Sequence, residues 1–509
     1  MYSTPIAQRA ASDPDGRALA TPAHALTWAE LASTTDAAAR ALAALDLGAH
    51  RRVAVMAQNS VDTVLGYLAA LHAGLSVVPV SFHLTAREVA YILGDSGAAA
   101  VLCDANSRAA AAEAAQLSGG LPVFSWDDGR SGGSSWAQLL ETGAGEQPVD
   151  HTTAPRPNLL YTSGTTGFPK GVERPPSMPA SIAEYLDAQR EPPDAGTFLA
   201  VGPLYHTGPM RAVRRLAGGR PLFVLPSFDA EAVLATIDRE RVSGTLMVPT
   251  HFARLLALPA DVRAKYDVSS MRVIEHTGAA CPVPVKHAMI DWFGPVLVEK
   301  YGGTETGTMT SIDSHEWLAH PGSVGRAVPP FEVVVVDDDD QPVPTGTEGR
   351  LYFRDTTGRG ITFHGDPAKT AAAHIAPNVF TVGDIGLVDA DGYVYITGRH
   401  SDMVVSGGVN LYPAESERVL LQHPLVRDAA VIGVPHPSMG EQLKALVVRS
   451  GDVSAEALIA HCRDNLAHPK CPRSVDFVDD LGRSPMGKLN KKALRAPYWA
   501  DVGAAAPGR

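Results

Sequence analysis

The chain has 509 residues, of which 45% are hydrophobic and 19% are charged, and its formal net charge is -12 at neutral pH. This is a globular composition, with enough length for two to four domains of about 100–200 residues each. The acidic balance lacks the surplus of lysine and arginine that nucleic-acid binding usually shows, so we exclude nucleic acid as a partner.

The cysteines and the N-terminal segment indicate the compartment. No cysteine forms a Cys-x-x-Cys pair, which favours buried free thiols in a reducing cytoplasm over disulfides or a metal site. The N-terminal segment has no apolar core for a signal peptide, and no run of about 18 apolar residues could span a membrane. We therefore expect a cytoplasmic protein without a membrane span. The cysteines are Cys103, Cys281, Cys462 and Cys471.

Helix and strand signals alternate over the first hundred residues. Thr27 with Glu30 and Thr85 with Glu88 have the spacing of capping boxes, so each pair predicts the start of a helix. The alternation indicates parallel strands joined by crossover helices. The expected elements are a first helix with Leu31, Leu42 and Leu45 on its apolar face and a stop at Gly48, a second helix from Ser60 to about Gly74, and strands at 53–56, 77–80 and 98–102.

A second α/β block and a smaller unit follow. The Gly/Ser-rich segment 127–135 predicts a loop, and the acidic run 337–340 predicts a solvated turn rather than a metal site. Beyond Gly398 the pattern changes to a small α+β unit that ends in a disordered tail from residue 503. Strands are expected at 159–160, 197–201, 221–225, 244–248, 271–276, 332–336, 350–353, 429–434, 443–448 and 475–478, and the last two helices at 414–422 and 454–466.

The segment 161–171 carries the sharpest signal and has the sequence YTSGTTGFPKG. Its glycines let the backbone turn and bring N–H groups close to a ligand, while the hydroxyls and one lysine complete an anion cradle. It is not a Walker-type loop, because no Ser or Thr follows the lysine. The expected ligand is a polyphosphate, held by Thr162, Ser163, Gly164, Thr165, Thr166, Gly167 and Lys170.

Three further motifs carry groups that suit a nucleotide. YGGTETG (301–307) offers Tyr301 for stacking on adenine, Thr304 for a phosphate and Glu305 for Mg²⁺. FTVGD (380–384) places Asp384 after a glycine turn, where a short carboxylate suits the ribose hydroxyls. TGAAC (277–281) consists of small residues that permit the close approach of a flat ring.

These strings resemble, in the same order, the motifs of the adenylate-forming superfamily, which includes acyl-CoA synthetases, aryl-CoA ligases, luciferases and peptide-synthetase adenylation domains. The resemblance is closest to the fatty-acid and bulky-acid CoA ligases. It implies an α/β fold with a large N-terminal domain of α/β subdomains (1–398), a hinge (399–401) and a small mobile α+β lid (402–509). It also implies ATP, Mg²⁺ and coenzyme A as cofactors. It is compatible with a homodimer and with a downstream acyl acceptor enzyme or carrier protein as partner.

The resemblance also implies a role for each matching residue. Lys488, in SPMGKL, would bridge the substrate carboxylate and the α-phosphate, and Arg399, in GRHSD, would face ribose and phosphate. Lys488, His206, Thr304 and Glu305 are the expected catalytic residues. The remaining ATP-binding residues are Gly278, Ala279, Ala280, Tyr301, Gly302, Gly303, Asp384 and the phosphate loop; the metal ligands are Glu305 and Thr162, and Gly407 and Gly408 line the coenzyme A tunnel.

The substrate acid and the transfer of the acyl group to coenzyme A are less sharply defined. GPLYHTGP (202–209) contains no carboxylate for a substrate ammonium, which favours a plain acid over an amino acid. The expected apolar pocket suits a fatty, aromatic or polycyclic terpenoid or steroid acid. Ser401 and Val409 depart from the charged hinge residue and the glutamate of many relatives. The expected pocket residues are Tyr205, His206, Gly208, Met210 and Val248.

Three alternatives stay open. In the first alternative, the enzyme would stop at acyl-AMP or pass the acyl group to a carrier protein or partner enzyme, in keeping with Ser401 and Val409. A luciferase-like oxygenase would use the same adenylate and consume oxygen. A catalytically inactive nucleotide-binding module would fail in ATP–pyrophosphate exchange, although Glu305, Asp384, Arg399 and Lys488 argue against it.

Overall fold

The structure is a computed structural model that describes residues 2–126, 134–145, 147–162, 170–173, 179–406, 409–436, 439–485 and 487–500. The described residues form five β-sheets flanked by helices. This arrangement confirms the predicted α/β class.

Helices and strands alternate over the first 142 residues. Thr27 and Thr85 each cap a helix through reciprocal bonds with the glutamate three residues on, so both predicted capping boxes are confirmed. The predicted stop at Gly48 is wrong, because the helix ends at Ala43 and Gly48 donates to Asp46 in a separate turn. The elements are α1 (Pro5–Ser12), β1 (Arg17–Ala20), β2 (Ala25–Thr27), α2 (Trp28–Ala43), β3 (Arg52–Met56), α3 (Val61–His72), β4 (Ser76–Val80), α4 (Ala86–Ser96), β5 (Ala100–Cys103), α5 (Arg108–Leu117), β6 (Val123–Ser125), β7 (Ser134–Ser135) and α6 (Trp136–Thr142).

A five-stranded parallel sheet, in the order β4-β3-β5-β6-β7, forms the first layer. Its strands match the predicted parallel arrangement with crossover helices. The loop prediction for 127–135 falls mostly outside the described residues, and it is wrong at Ser134–Ser135, where the backbone pairs with Phe124 and Ser125.

A nine-stranded sheet forms the centre of the molecule, in the order β16-β15-β14-β13-β12-β10-β11-β1-β2. Six adjacent strands, from β14 to β1, are parallel and largely buried. In chain order, the elements from residue 160 to residue 327 are β8 (Leu160–Thr162), β9 (Lys170–Glu173), α7 (Ile182–Ala188), β10 (Thr197–Ala200), α8 (Thr207–Ala217), β11 (Leu222–Val224), α9 (Ala230–Glu240), β12 (Val242–Met247), α10 (Pro249–Leu256), α11 (Ala260–Arg263), β13 (Val273–His276), α12 (Val283–Phe293), β14 (Leu297–Tyr301), β15 (Thr310–Asp313), α13 (Ser314–Ala319) and β16 (Arg326–Ala327).

Two antiparallel sheets complete the part of the chain up to Arg399. The smaller one, β19-β9-β8, carries the two strands on either side of the phosphate loop. The larger one contains β17 and β18, and the acidic run between them is exposed, as predicted, with Asp340 paired to Arg350. The elements are β17 (Phe331–Val336), β18 (Gly349–Asp355), β19 (Thr362–Phe363), α14 (Pro367–Ala372), β20 (His374–Ala376), β21 (Val379–Phe380), β22 (Asp384–Val388) and β23 (Val394–Arg399).

The fifth sheet is drawn wholly from residues after Arg399. It has its own apolar core, built around Val431, Ala445 and Leu458. The domain boundary at 398–402 stays a prediction, and the tail from residue 503 lies outside the described residues. The elements are a 3-10 helix (His400–Asp402), β24 (Val404–Ser406), β25 (Val409–Leu411), α15 (Pro413–Leu420), β26 (Val426–His436), β27 (Gly440–Arg449), α16 (Ala455–Asn465), a second 3-10 helix (His468–Lys470), β28 (Ser474–Phe477) and α17 (Lys491–Trp499).

The structure also bears on the cysteine and membrane predictions. All four cysteines are free, and three of them are buried. Among the helices that the structure describes, none combines the length and the apolar content needed to cross a bilayer.

Two buried histidines make stability sensitive to acid. Burial lowers the pKa of His72 and of His251 to about 3, so both imidazoles are neutral in the folded protein at pH values where the unfolded chain would protonate them. This stabilisation is complete above the unfolded pKa of about 6.5 and is lost as the pH falls toward 3. We expect the free energy of unfolding to fall by about 1.4 kcal/mol per pH unit for each histidine between about pH 6 and 4.

Urea denaturation measured at intervals between pH 7.5 and 5 checks this expectation. His72→Gln removes one of the two titrating groups while leaving a polar side chain beside His151, whose Nε2 lies 3.2 Å from His72 Nδ1. The variant should lose part of the pH dependence. An identical dependence in both proteins would contradict the role assigned to His72.

Candidate active site

Three of the sequence motifs and Val248 come together at one edge of the nine-stranded sheet. Strands β10, β12, β13 and β14 are parallel neighbours, so their carboxyl ends share an edge. The segments after these strands are GPLYHTGP, Val248, TGAAC and YGGTETG. Ligands of open α/β sheets bind in the crevice outside the carboxyl ends of the strands. The topology therefore builds one cleft from motifs that span more than a hundred residues of chain.

The turn after β14 depends on a glycine. At Gly302 a Cβ would lie 1.8 Å from the Gly307 carbonyl oxygen, so no larger residue fits. Two bonds close the turn, because the Gly303 N–H donates to Thr306 Oγ1 and the Gly307 N–H donates to the Gly303 carbonyl. Thr304 Oγ1 lies 3.3 Å from Thr207 Oγ1, which joins this turn to the start of α8.

Asp384 connects the candidate ribose site to the turn after β14. It is 3% exposed, and its two carboxylate oxygens accept from the Tyr301 hydroxyl at 2.5 Å and from Arg399 Nε at 2.9 Å. Asp384 and Arg399 are direct cross-strand partners on β22 and β23, so the backbone register sets their contact. The structure thus places three predicted nucleotide-binding residues in contact.

The same carboxylate controls the charges of its neighbours. Burial and the Asp384 carboxylate raise the pKa of Tyr301, so the phenol stays protonated and donates. Asp384 also raises the pKa of Arg399, whose side chain remains 62% exposed. Arg399 is therefore anchored at Nε, while the rest of its guanidinium can reach a ligand in the cleft.

Lys488 reaches the same cleft from the C-terminal unit. Its neighbour Gly487 packs against Thr250 at the start of α10, where a Cβ on residue 487 would lie 2.9 Å from Thr250 Cγ2. Lys488 is an exposed residue, yet partial desolvation of its ammonium and then the charge of Arg399 lower its pKa, whereas Glu305 raises it. Lys488, Arg399 and Glu305 therefore lie within electrostatic range of one another.

His206 lies within electrostatic range of Lys488. Burial and, to a smaller extent, the Lys488 ammonium together lower the pKa of its imidazole to about 4. His206 is therefore neutral at pH 7, which suits a pocket wall or a hydrogen-bonding role more than that of a charged acid. Its catalytic role stays a prediction.

Gly487→Ala is expected to disturb this arrangement selectively. Gly487 has a φ of +73°, where a side chain is strained, and the added Cβ would press on Thr250. A cost of about 1–2 kcal/mol in this lid position corresponds to a loss of about 5- to 30-fold in acyl-adenylate formation.

ATP–pyrophosphate exchange measures that loss. Gly482→Ala is a matched control, because Gly482 also has a positive φ (+64°) but a Cβ there would meet nothing within 4 Å. The control should keep most of the exchange activity. Equal losses in the two variants would contradict a specific contact between residue 487 and Thr250.

The phosphate side of the cleft is described only in part. Residues 163–169 lie outside the described residues, as does the Thr162 side chain, so their predicted contacts stay predictions. Lys170 is described, and its Nζ lies 2.5 Å from Asp366 Oδ2 at the start of α14. Lys369 lies beside this pair, and Lys170 contributes to lowering its pKa after the larger effect of burial.

Glu305 fits a magnesium site. Its carboxylate makes no hydrogen bond or ion pair with the residues that the structure describes, yet it lies within electrostatic range of Lys369 and Lys488. Mg²⁺ prefers one or two carboxylates together with phosphate oxygens and waters. The described residues contain no cluster of three metal-binding side chains, so phosphate would supply the remaining ligands.

On the predicted acyl side of the cleft, Met210 lies apart from two other predicted residues. Tyr205 and His206 form an aromatic wall with Phe82, whose ring centroid lies 5.5 Å from that of Tyr205. Met210 does not belong to this wall, because it is buried in the core, where its sulfur accepts from the Asn158 amide. Helical geometry turns Met210 away from the face that carries Gly208.

Gly208 and Val248 occupy positions that suit a pocket. A Cβ on residue 208 would lie 3.3 Å from Leu246 and 3.9 Å from Thr277, so glycine lets α8 approach the sheet closely. Val248 is fully buried beneath Gly278 and supports that turn from below. Ala280 and Gly278 are exposed, while Ala279 is half-buried, and their predicted contact with adenine stays a prediction.

The hinge keeps a charge next to the predicted pivot. Ser401 is exposed in a 3-10 helix and hydrogen-bonds Asp402, whose carboxylate lies 3.7 Å from Lys491 Nζ. The charged residue here is therefore Asp402, one position after Ser401. Gly407 and Gly408 lie outside the described residues, as does the Val409 side chain.

Sequence reasoning missed Asp366, Lys369, Thr250 and Arg211. Asp366 precedes a proline and caps α14, which is a helix-start signal, but this pattern does not indicate contact with Lys170. The others carry no local signal, because their neighbours in the cleft lie far away in the sequence.

Comparison with known proteins identifies the family. The model of the AMP-binding enzyme family matches residues 6–360, and the model of the AMP-binding enzyme C-terminal domain matches residues 415–488. The long-chain-fatty-acid–CoA ligase FadD13 of Mycobacterium tuberculosis is 32% identical over 98% of both chains. The 3-[(3aS,4S,7aS)-7a-methyl-1,5-dioxo-octahydro-1H-inden-4-yl]propanoyl:CoA ligase of the same species is 34% identical over 95% of this chain and 96% of its own.

A solved structure agrees with these relatives. The amide bond synthetase McbA from Marinactinospora thermotolerans superimposes with a TM-score of 0.82 at 27% identity, over 97% of this chain and 99% of that protein. The predicted fold, with its large and small domains, is confirmed. The chain therefore belongs to the AMP-binding enzymes, the adenylate-forming superfamily that its motifs resemble.

Proposed function

We propose that the chain converts a hydrophobic carboxylic acid to acyl-AMP with ATP and then transfers the acyl group to coenzyme A. Family membership makes it an AMP-forming acid–thiol ligase. The acid, the site residues and the order of the steps are what we propose here.

The placement of Lys488 supports this proposal most directly. The lysine belongs to the C-terminal unit, yet it lies within electrostatic range of Arg399 at the predicted hinge and of Glu305 in the large domain. This is the lid position that adenylation requires, since one ammonium must meet both the acid and the α-phosphate. The Asp384–Tyr301–Arg399 group beside it offers a carboxylate for the ribose.

In the first step the substrate carboxylate attacks the α-phosphorus. The bond from that phosphorus to the β-phosphate oxygen breaks, which gives acyl-AMP and pyrophosphate. Lys488 neutralises the charge that develops where carboxylate and phosphate meet, and Lys170 with the phosphate loop holds the outer phosphates. Mg²⁺, held by Glu305, would neutralise phosphate charge.

In the second step the thiol sulfur of coenzyme A attacks the acyl carbon. The thiol proton goes to solvent, and AMP leaves with the electrons of the acyl–phosphate bond. For this step the C-terminal unit would rotate about Ser401 and carry Lys488 away from the cleft. The backbone at Gly407 and Gly408 would then line the entry of the pantetheine arm.

The acid itself is proposed from the pocket walls and the relatives. Tyr205, His206 and Phe82 give an aromatic wall, and Gly208 adds no side chain where α8 packs against Leu246. The two relatives act, by their names, on a long-chain fatty acid and on a propanoic acid that carries a bicyclic ring system with two oxo groups. A fatty or bulky polycyclic acid fits this setting.

The test is ATP–pyrophosphate exchange over a panel of fatty, aromatic and polycyclic acids. We expect exchange with at least one hydrophobic acid, followed by thioester formation when coenzyme A is added. A complete absence of exchange across the panel would overturn the proposal.

A second candidate differs only in the acceptor. Ser401 and Val409 depart from the relatives' pattern, and McbA, which shares the fold, is by its name an amide bond synthetase. Incubation of the best acid with ATP and either coenzyme A or an amine separates the two functions. Acyl-AMP that reacts with the amine but not with coenzyme A would favour this second candidate.

A further inference from the structure

One face of α8 continues from the acyl pocket into a charged cluster. Gly208, Arg211 and Arg215 share this face, because helical neighbours recur every three or four residues. Gly208 packs closely against Leu246 and Thr277, as described above, and Arg215 contacts Glu275 on β13. Arg211 lies between these two points, so it stands where the pocket meets the cluster.

The cluster contains more positive charge than negative. Glu275 Oε1 accepts from Arg215 at 2.7 Å and from Lys300 at 2.8 Å. The second carboxylate, Glu191, pairs with Arg215 and Arg220. Four cations, including Arg211, thus surround two carboxylates, and the cluster has a surplus of two positive charges.

Arg211 is the cation with the weakest partners in this cluster. Its Nη2 donates to Thr308 Oγ1 at 3.1 Å, and its Nη1 lies 4.0 Å from Glu275 Oε2. That carboxylate oxygen is buried and has no hydrogen-bond partner, so the ion pair is not closed. Burial lowers the pKa of Arg211, yet 26% of its side chain remains accessible. Arg211 thus keeps donor capacity for a ligand.

We propose that Arg211 determines substrate specificity by donating hydrogen bonds to an oxygen at the far end of the acid. The inference rests on the proposed function and adds a substrate class: hydrophobic acids that carry a second acceptor, a keto or carboxylate oxygen. The Cα of Arg211 lies about 7.5 Å beyond that of His206 along the axis of α8. An acid of medium length, or one with a single ring, can span that interval.

The experiment compares acids of matched size that differ only at the far end. The linear set is octanoic, 7-oxooctanoic and octanedioic acid, and the aromatic set is 4-ethylbenzoic, 4-acetylbenzoic and terephthalic acid. For wild type we expect kcat/KM in ATP–pyrophosphate exchange to be about 10- to 100-fold higher for the oxygen-bearing members of at least one set, as for a charge-assisted hydrogen bond.

Two variants identify the residue responsible. Arg211→Met should abolish that preference and leave the methyl-ended acids as good or better substrates. Arg214→Met is the matched control, because it removes the same charge one turn further along α8 from a residue that bonds neither Thr308 nor Glu275. It should keep the wild-type preference.

The outcomes separate this inference from the proposed function. Exchange with methyl-ended acids and no preference in wild type would overturn the role of Arg211 and leave the proposed function intact. The same conclusion follows if Arg211→Met and Arg214→Met keep equal preferences. No exchange with any acid would overturn both. If Arg211→Met does not fold, Arg211→Lys and the wild-type comparison still decide, since a lysine should favour the carboxylate over the keto group.

Discussion

Lys488→Ala is expected to lower acyl-adenylate formation by about 10²–10³-fold, the loss typical for removal of one preorganised charge at a reacting centre. The ammonium meets the charge that builds up as the acid attacks phosphorus. Lys491, three residues further on, is not free to replace it, because Lys491 is held by Glu417 and Asp402. ATP–pyrophosphate exchange with the best acid measures the loss.

The same variant should keep its second half-reaction. Thioester formation from supplied acyl-AMP and coenzyme A takes place after the C-terminal unit has rotated, so Lys488 is not needed there. Lys492→Ala is the control, because Lys492 is an exposed lysine nearby in the same unit. Exchange at a near-normal rate in Lys488→Ala would remove the assignment.

The pKa of Lys488 gives this prediction a pH dependence. The surrounding protein and Arg399 lower it from the usual lysine value, so the ammonium is lost at a lower pH than that of an ordinary lysine. Adenylation should therefore decline on the alkaline side, and supplied acyl-AMP should continue to react with coenzyme A over the same range. Parallel decline of the two half-reactions would contradict a specific role in the first.

Asp384→Ala is expected to reduce kcat/KM for ATP by about 10²-fold, which corresponds to about 3 kcal/mol, or one to two charge-assisted hydrogen bonds. The carboxylate holds the Tyr301 hydroxyl and Arg399 Nε, and we propose that it also binds the ribose. Its removal loosens both side chains in addition to the loss of the ribose contact.

Initial rates at varied ATP concentration measure the effect. Asp391→Ala is the control, since Asp391 is an exposed aspartate in the turn between the same two strands. It should leave kcat/KM unchanged within about twofold. Asp384→Asn preserves size and an acceptor oxygen but removes the charge, so a small effect of Asn beside a large effect of Ala would indicate that the charge of Asp384 is not needed.

The candidate site could be proposed from the sequence because its motifs are local. Glycines, hydroxyls and a lysine within eleven residues indicate a phosphate-binding loop whatever surrounds them, and the helix starts at Thr27 and Thr85 follow from capping boxes of four residues. The direction of Met210 could not be predicted in this way, because residues two apart on a helix face different directions, and the sequence gives no direct sign of which face meets the ligand.

The amino-acid sequence by itself determined the α/β class, the short motifs and the chemical groups that they offer. Only the tertiary structure decided which of these groups meet. The parallel register of β10, β12, β13 and β14 gathers four segments at one edge, and the antiparallel register of β22 and β23 sets Asp384 against Arg399. Arg211 depends on the fold most of all, because its partners Glu275 and Thr308 lie on other elements. The physical reason is that hydrogen bonds and charges act over a few ångströms in space, whatever the separation along the chain.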